Sequence, residues 1–386
     1  MSAHLSPRRR QLLLHLSSIG LAGVLPPVSA SEGVDGTHIR LGMSAPFSGP
    51  NGVYGKQMQE GIAAYFRDVN AQGGVGGRKL ELVALDDGYE PATAVVNTRH
   101  LIEQQRVFAL LGFYGTASTL AVMPVLEQSG VPLIGTISGA EVLRKAEQRH
   151  IFHLRASYGD ETAAIVKNLL TVGMSQVAVL YQDDAFGQAG LQGVTAALRQ
   201  RSLAPITAAA VPRNSTDVRA AVEAIASAKP QAVVMATLYR PCAEFILQLR
   251  KTGVRPHFVA LSPVGTDQLI GLLGRDGSRG IEVSQVIPKP WSDRLEVTRE
   301  YKRALASQGG VDSASYYGLE GYLNAKLVVA ALRRAGAMPT REGLMAGLRR
   351  APFDLDGYRV EFAEGRNAGS SYVEISVIGA DGKILT

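Results

Sequence analysis

Cysteine is almost absent from this chain: its 386 residues include one, Cys242. A lone thiol cannot form an intramolecular disulfide, a thiolate metal cluster or a Cys-X-X-Cys redox motif, so all three are excluded. Charged side chains are also few, at 19%, while hydrophobic residues make up 46%, which excludes a disordered chain. The length instead predicts a soluble protein of two folding units with large cores, and we expect Cys242 to be buried on a helix.

Long apolar runs are missing as well. The most apolar stretch, residues 12–25, has 14 residues, fewer than the roughly 20 that a membrane-spanning helix needs. Three arginines at 8–10 precede it and small residues at 28–30 follow it, which is typical of a signal peptide, residues 1–30, cleaved after Ala30. We therefore expect a periplasmic protein. The paired arginines also resemble a twin-arginine signal, so both general secretory export and export after folding remain open.

The positive charge gives little indication of an anionic partner. The whole chain carries a formal charge of +6, but without residues 1–30, which hold three arginines and no acid, 37 basic and 34 acidic side chains remain, a net +3. The basic residues are dispersed and are not interleaved with aromatic ones. Nucleic-acid binding is therefore not supported.

Signatures of catalysis and metal binding are absent or have simpler interpretations. No G-x-S-x-G nucleophile elbow occurs. The glycines at 73–77 follow a predicted helix and precede a predicted strand, the reverse of a phosphate-binding loop, so we predict a helix end and a turn. Aspartate pairs at 86–87 and 183–184 fall where strands give way to helices, which favours capping. His150 and His153 point to opposite faces of a strand. We expect no enzyme, cofactor or metal site.

What the sequence does contain, from residue 39 on, is a repeated alternation of short apolar runs and longer amphipathic stretches. This alternation is typical of βα units and a parallel sheet. One series of predicted strands covers residues 39–44, 79–85, 107–112, 132–137 and 151–155, and a second covers 176–181, 206–211, 232–237, 257–261 and 281–286. Helices are predicted at 54–71, 162–172, 187–201, 218–227 and 242–252. The pattern predicts an α/β protein with two similar lobes.

The pattern changes after residue 290. Helices are predicted at 295–307 and 319–335, and strand-like runs at 358–362 and 372–378. Helices without strand partners must cover an existing sheet, so we predict that the chain returns to the first lobe. The predicted lobes are discontinuous: 31–156 with 285–352, and 157–284 with 353–386.

Two loops at the carboxyl ends of predicted strands are candidates for ligand binding. One contains Gly115, Thr116 and Ser118, and the other begins with Ser138 and Gly139. Both combine glycine and hydroxyl groups and lack Lys and Arg, a composition that suits a carboxylate held by hydroxyls and helix N-termini. The alternative, ordinary N-capping by these hydroxyls, remains open.

Aromatic residues recur at the same level of the predicted sheets. Tyr54, Phe186 and Tyr239 each follow a strand and could form the walls of a small-molecule pocket, or could equally be packing residues. Arg240 could meet a second acidic group on a ligand or be solvated.

An ordered series of short motifs runs through the whole chain after the signal peptide. Its residues are Ser48, Gly49, Pro50, Tyr54, Gly55, Gly61, 70–74, Asp86, Asp87, Pro91, Gly112, Thr116, Ser118, 130–134 and Arg155. On these residues the chain resembles the leucine/isoleucine/valine-binding protein family, the type I periplasmic receptors of branched-chain amino acid ABC transporters.

The resemblance implies two Rossmann-like lobes joined by three crossovers, which close on a ligand by hinge motion. It implies an inner-membrane permease and ATPase subunits as partners. Carried over by position, Thr116, Ile137, Ser138 and Gly139 would bind a ligand carboxylate, and Tyr54, Phe186 and Tyr239 would contact the ligand. The expected ligand is an amino acid, an aromatic acid or an amide. A ligand-sensing module of the same fold, which feeds a signalling partner, is the alternative.

This chain departs from the family pattern in two places. Where amino-acid binders have an acid for the ligand ammonium, after the strand at 257–261, this chain has Ser262, which we also expect to contact the ligand. An unpaired buried ammonium would cost several kcal/mol, so a zwitterionic ligand requires a substitute acid, for which Asp184, Glu141 and Asp267 are candidates. The second departure is a disulfide of some members, whose positions here are Tyr89 and Gly115.

Overall fold

The computed structural model describes residues 32–307, 313–363 and 365–386. The predicted signal peptide and its cleavage site lie outside these residues. Among the helices of the described ranges, none is both long enough and apolar enough to cross a membrane.

The first lobe is built on a five-stranded parallel sheet in the order β2-β1-β3-β4-β5. Its strands are β1 (His38–Ala45), β2 (Lys79–Asp86), β3 (Ala109–Leu111), β4 (Leu133–Ile134) and β5 (Ile151–Phe152), and its helices are α1 (Gly52–Ala71), α2 (Pro91–Glu103) and α3 (Thr116–Ser129). The strands predicted at 107–112 and 132–137 were too long. Gly112 and Gly135 adopt φ of +71° and +70°, which ends each ladder early and frees the following residues for loops.

The glycine-rich segment after α1 is a turn, as predicted. Met58, Ile62, Phe66 and Val69 are buried at a spacing of three or four residues, which holds α1 on the sheet. Gly73 and Gly74 then adopt φ of +94° and +77° and lead the chain into β2.

The second lobe is built on a seven-stranded sheet in the order β14-β13-β10-β9-β8-β6-β7. Its strands are β6 (Val177–Gln182), β7 (Thr207–Val211), β8 (Ala232–Ala236), β9 (His257–Ala260), β10 (Glu282–Gln285), β13 (Glu374–Ile378) and β14 (Ile384–Leu385). Its helices are α4 (Tyr158–Thr171), α5 (Ala185–Arg199), α6 (Arg219–Ala228), α7 (Tyr239–Lys251) and α8 (Thr266–Ser278). The last two strands run antiparallel to their neighbours.

Some helices of the second lobe begin before their predicted residues. The prediction placed the start of α4 at 162, but a capping box between Ser157 and Asp160 begins it at Tyr158. Similarly, α7 begins at Tyr239 and contains Cys242, which is fully buried, as predicted.

The chain then packs again on α1. Helices α9 (Glu296–Ala306) and α10 (Tyr316–Ala335) pack against α1, and α11 (Arg341–Arg349) packs against α10. The run predicted as a strand at 358–362 forms a separate hairpin, β11 (Phe353–Asp354) with β12 (Arg359–Val360). Near it, Ala368 forms a parallel bridge with His153, beside β5. The lobe boundaries stay a prediction.

Candidate ligand-binding site

The two predicted carboxylate loops lie side by side where β3 and β4 end. The Gly115 amide donates to the Ile137 carbonyl oxygen at 3.1 Å. The hydroxyl oxygens of Thr116 and Ser138 are 2.7 Å apart, and both side chains are fully buried. The structure therefore brings Thr116, Ile137 and Ser138 together.

This hydroxyl pair lies at the N-terminus of α3, which begins at Thr116. The first amides of a helix lack partners within it and carry partial positive charge, so they favour an anion. Behind the second loop, Arg144 donates to the Ser138 carbonyl oxygen at 3.1 Å, and burial lowers the pKa of Arg144 to about 10. The arrangement can hold a carboxylate through hydroxyls, with a cation one layer behind, and sequence reasoning missed Arg144.

Gly139 brings the second loop against the start of α4. Its carbonyl oxygen accepts from the Tyr158 amide at 2.7 Å, and a Cβ at this glycine would lie 2.5 Å from the Tyr158 ring. Thr116 lies close enough to the Tyr158 hydroxyl to lower its pKa, but burial is the larger effect and raises the pKa of Tyr158 to about 12. Phe186 packs on this ring, with centroids 5.3 Å apart. The structure thus places Phe186 next to the hydroxyl pair through Tyr158.

Tyr54 lies at the centre of a tyrosine cluster. Its ring stacks on Tyr114 at 4.9 Å between centroids and lies 4.8 Å from Tyr317 and 5.8 Å from Tyr239. The sequence pointed to Tyr54 and Tyr239, which do meet, but missed Tyr114 and Tyr317. Tyr114 comes two residues before Thr116, so the cluster adjoins the hydroxyl pair.

Hydroxyl groups of this cluster join the two lobes. Tyr54 donates to the Val264 carbonyl oxygen at 2.9 Å, and Tyr317 donates to that of Pro263 at 3.0 Å. In the opposite direction, Tyr239 of the second lobe donates to the Pro50 carbonyl oxygen at 2.6 Å. These contacts hold the two sides of the cleft together.

Ser262, at the position of the missing acid, is bonded to a carboxylate from another element. Its amide and its hydroxyl donate to the two carboxylate oxygens of Glu161, at 2.8 Å and 3.0 Å. Ser284 donates to Glu161 as well, at 2.5 Å. Burial raises the pKa of Glu161, while nearby Arg155 and these hydrogen bonds lower it. Sequence reasoning missed Glu161, since a glutamate in the first turn of a helix is ordinarily a surface residue.

The three acids considered as substitutes for the missing ammonium partner each lie in a different environment. Asp184 caps α5 by accepting from the amides of Phe186 and Gly187. Glu141 is exposed and accepts from the Gly159 amide at 3.1 Å. Asp267 is exposed in the first turn of α8. Whether any of them binds a ligand stays a prediction.

A fully buried ion pair lies near the cleft. Arg155 donates through two nitrogens to both carboxylate oxygens of Glu320, at 2.8 Å and 2.9 Å. Only 2% and 3% of the two side chains are exposed. The pair ties the segment after β5 to α10.

The positions of the family disulfide are occupied by a packed ring. A Cβ at Gly115 would lie 2.6 Å from the ring of Tyr89, so the glycine makes room for it. Arg213 of the second lobe lies over this ring at 4.1 Å, and Gln182 donates to its hydroxyl at 3.1 Å. Tyr89 therefore contacts both lobes.

The other residues considered in the sequence analysis make contacts within the protein. The first aspartate pair fixes its loop: Asp86 accepts from the Phe47 amide at 2.8 Å, and Asp87 from the Tyr89 amide at 2.9 Å. Within the described part of the chain, no group of three or more His, Cys, Asp or Glu side chains could hold a metal ion. Arg240 is exposed and hydrogen-bonds the Tyr239 hydroxyl at 3.2 Å.

A cavity of about 980 Å³ lies outside this cleft. Aromatic Trp291, Tyr358 and Tyr372 line it together with Arg294 and Arg366. None of the predicted site residues reaches it, so it does not compete with the cleft as the predicted site.

Comparison with known proteins agrees with the fold. The profile of the family described as periplasmic binding protein matches residues 38–382. A substrate-binding periplasmic protein from Ralstonia solanacearum is 33% identical and superposes with a TM-score of 0.84, over 90% of this chain and 99% of that chain. The Leu/Ile/Val-binding protein homolog 7 of Brucella abortus is 23% identical over 97% of this chain and 95% of its own.

A shorter match is to the amino acid binding protein of Pseudomonas aeruginosa, 26% identical over 210 residues. It covers 54% of this chain and 56% of that protein, so the chain spans about half the length of this relative. The family profile, by contrast, covers nearly all of the described residues. The chain therefore belongs to the periplasmic binding proteins, of the type related to branched-chain amino acid receptors, a family of binding proteins and not of enzymes.

Proposed function

We propose that this protein is the solute receptor of an ABC importer and captures a small carboxylate-bearing molecule between its two lobes by hinge closure. The observation that carries the proposal is the buried hydroxyl pair of Thr116 and Ser138 at the N-terminus of α3, beside the tyrosine cluster. Hydroxyls and helix amides bind a carboxylate well, and the aromatic walls exclude water from it. The names of relatives as Leu/Ile/Val-binding and amino acid binding proteins support the ligand class.

The proposed partners are an inner-membrane permease with its ATPase subunits, to which the closed form delivers the ligand. We also propose export to the periplasm with cleavage after Ala30, which the intact mass of protein from a periplasmic extract tests. A mature chain that begins elsewhere would contradict that cleavage site.

A melting-point panel tests the proposed function. The purified mature protein is heated with branched-chain and other amino acids, aromatic acids and amides, each at high concentration. A ligand at 100 times its Kd adds about 2.7 kcal/mol to the free energy of unfolding, which gives a clear rise in melting temperature. If no member of the panel shifts the melting temperature of ligand-free protein, the proposed function is wrong.

A further inference from the structure

The cavity lined by Trp291, Tyr372, Arg294 and Arg366, which we call the outer cavity, lies outside the cleft and has a volume of about 980 Å³. It lies between two connecting segments of the chain. One segment leads from β10 into α9, and the other leads from the β11–β12 hairpin into β13. Small-molecule pockets measure roughly 300–1,000 Å³, so the outer cavity has room for a ligand of that kind.

Aromatic rings give the outer cavity much of its apolar surface. The ring of Tyr358 is buried, whereas Tyr372 is 37% exposed, and their centroids lie 6.1 Å apart in an edge-to-face arrangement. Trp291 is half-buried and packs edge-to-face on Tyr316, with centroids 5.5 Å apart. A large ring that is partly in water gains free energy when a flat apolar molecule covers it. These rings therefore suit an aromatic ligand.

Hydrogen bonds hold two of these rings in place. Tyr358 donates to the Val286 carbonyl oxygen at 3.1 Å, and Tyr372 donates to a carboxylate oxygen of Glu374 at 2.9 Å. A ligand that binds to rings already held in position loses less affinity to the ordering of side chains.

The side-chain charges of the outer cavity are mainly positive. Four basic and two acidic side chains line it, a difference of +2: Lys289, Arg294, Arg359 and Arg366, with Glu361 and Glu374. Arg359 pairs with Glu361 at 3.0 Å. Among the described residues, Arg294 and Arg366 have neither an ion pair nor a side-chain hydrogen bond. Since a guanidinium stays charged and only donates, an anion is the partner that these two arginines lack.

One of these arginines lies beside the exposed ring. Burial raises the pKa of Tyr372, and the charge of Arg294 acts on this hydroxyl in the opposite direction. An inorganic anion would pair with the arginines but leave the rings in water, and a neutral aromatic molecule would cover the rings but leave the arginines unpaired. An aromatic molecule with a carboxylate uses both features, because the carboxylate matches the guanidinium fork.

We infer that the outer cavity is a second binding site, separate from the cleft, for an aromatic molecule that carries an anionic group. The rings of Trp291, Tyr358 and Tyr372 pack on its aromatic part. Arg294 and Arg366 bind its anionic group. The inference does not rest on the proposed function, because none of these residues belongs to the carboxylate loops or the tyrosine cluster of the cleft.

The fluorescence of Trp291 tests this inference, because it is the only tryptophan in the sequence. The probe is 4-nitrobenzoate, whose ring quenches an excited indole on contact, and 4-nitrobenzamide is its uncharged match. The fluorescence lifetime of purified mature protein is measured as each compound is added, since absorption of light by the compound does not alter a lifetime. We expect saturable quenching, with half-saturation by the acid at a concentration at least about fivefold lower than by the amide, as two partly screened ion pairs allow. Quenching that does not saturate, or equal half-saturation by both compounds, would overturn the inference.

A double variant, Arg294→Gln with Arg366→Gln, locates the anionic group. It should raise the half-saturating concentration of 4-nitrobenzoate at least about fivefold and that of 4-nitrobenzamide less than about twofold. Both arginines are exposed, so the melting temperature should stay the same. An unchanged response to 4-nitrobenzoate in this variant would contradict the inference.

Lys56→Gln is the matched control, because Trp291 also borders a neighbouring cavity to which Lys56 contributes. Lys56 is exposed, like the two arginines, and its replacement should leave quenching by 4-nitrobenzoate unchanged. If Lys56→Gln weakens the quenching as much as the double variant does, the acid binds in the neighbouring cavity and the inference is wrong. A loss of quenching in Thr116→Ala would place the acid in the cleft and would overturn the inference as well.

Discussion

The proposed binding mode depends most directly on the hydroxyl groups of Thr116 and Ser138. Each hydroxyl can donate or accept, and at present they share one hydrogen bond of 2.7 Å. A carboxylate can accept from both, because the bond between them is easily exchanged. Neither side chain reaches solvent, so a ligand there would meet little competition from water.

Removing one hydroxyl should weaken binding without unfolding the protein. We expect Thr116→Ala to cost about 1.5–3 kcal/mol of binding free energy, or about 10- to 100-fold in Kd, measured by calorimetry. Thr98→Ala is the control: Thr98 is an equally buried threonine that donates to the Ala94 carbonyl oxygen in α2, outside the cleft. An unchanged Kd in Thr116→Ala would remove Thr116 from the site.

A second prediction at this scale concerns pH. Burial raises the pKa of Asp87 to about 6, although its hydrogen bonds to Tyr89 and Ser44 lower it. The folded state therefore binds a proton more tightly than the unfolded state, and stability falls as pH rises from about 4 to about 6. Asp87→Asn removes this titration and can keep both hydrogen bonds.

The free energy of unfolding of the wild type, relative to Asp87→Asn, should therefore fall by about 2 kcal/mol between pH 4 and pH 7. Urea titrations at several pH values measure it. A difference that does not change with pH would show that Asp87 titrates normally in the folded protein.

Individual site residues could be identified from the sequence wherever a local pattern was sufficient to reveal them. Thr116 and Ser138 were found because glycine and hydroxyl groups follow strand ends. Glu161 and Tyr317 were missed because their positions are fixed by long-range packing: Glu161 reaches a serine 101 residues away along the chain. No local pattern in the sequence carries that information.

At the scale of elements, the helices α1 and α10 pack closely on each other. A Cβ at Gly61 would overlap the Gly318 carbonyl oxygen, and one at Gly321 would overlap that of Met58. Glycines at these positions let the two helix backbones approach, which holds the returning C-terminal segment on the first lobe.

An added methyl group should therefore destabilise this helix pair. We expect Gly61→Ala to cost about 1–3 kcal/mol of unfolding free energy through overpacking. Gly271→Ala, in the exposed part of α8 where no atom lies within 4 Å of an added Cβ, should be neutral or stabilising by up to about 1 kcal/mol. Chemical denaturation measures both. If Gly61→Ala is as stable as the wild type, the close approach of the helices is not needed.

Element types were predicted better than element ends. Periodicity identified both parallel series and the return of the chain, because apolar spacing reflects burial directly. The ends depend on local backbone geometry, such as the capping box at Ser157 and the positive φ of Gly112. The strand-like run predicted at 358–362 does contain a strand, β12, but that strand is shorter than predicted and pairs with the short segment β11.

At the scale of the whole molecule, the sheet order places one group of contacts at the mouth of the cleft. β2 and β7 are the outer strands of their sheets, and the loops after them carry Tyr89 and Arg213. These side chains meet at 4.1 Å. Hinge motion moves parts far from the hinge most, so we expect this contact to form only in the closed state.

Weakening the contact between Arg213 and Tyr89 should lower ligand affinity, because a smaller fraction of the protein would then be in the closed state. We expect Arg213→Gln to raise Kd about 2- to 30-fold, from the 0.5–2 kcal/mol of a cation–π contact, with the ligand-free melting temperature nearly unchanged. Arg219→Gln is the control, because Arg219 pairs with Asp217 on its own lobe. Equal affinity of Arg213→Gln and wild type in calorimetry would contradict a role in closure.

The central claim is that the cleft binds its ligand through a carboxylate. The most direct test is a calorimetric comparison of the best-binding acid of the panel with its primary amide, in which the carboxylate is replaced by an uncharged group of nearly the same size. We predict that the amide binds at least about tenfold more weakly, since the charge-assisted hydrogen bonds at Thr116 and Ser138 are lost. An amide that binds as tightly as the acid would contradict the claim.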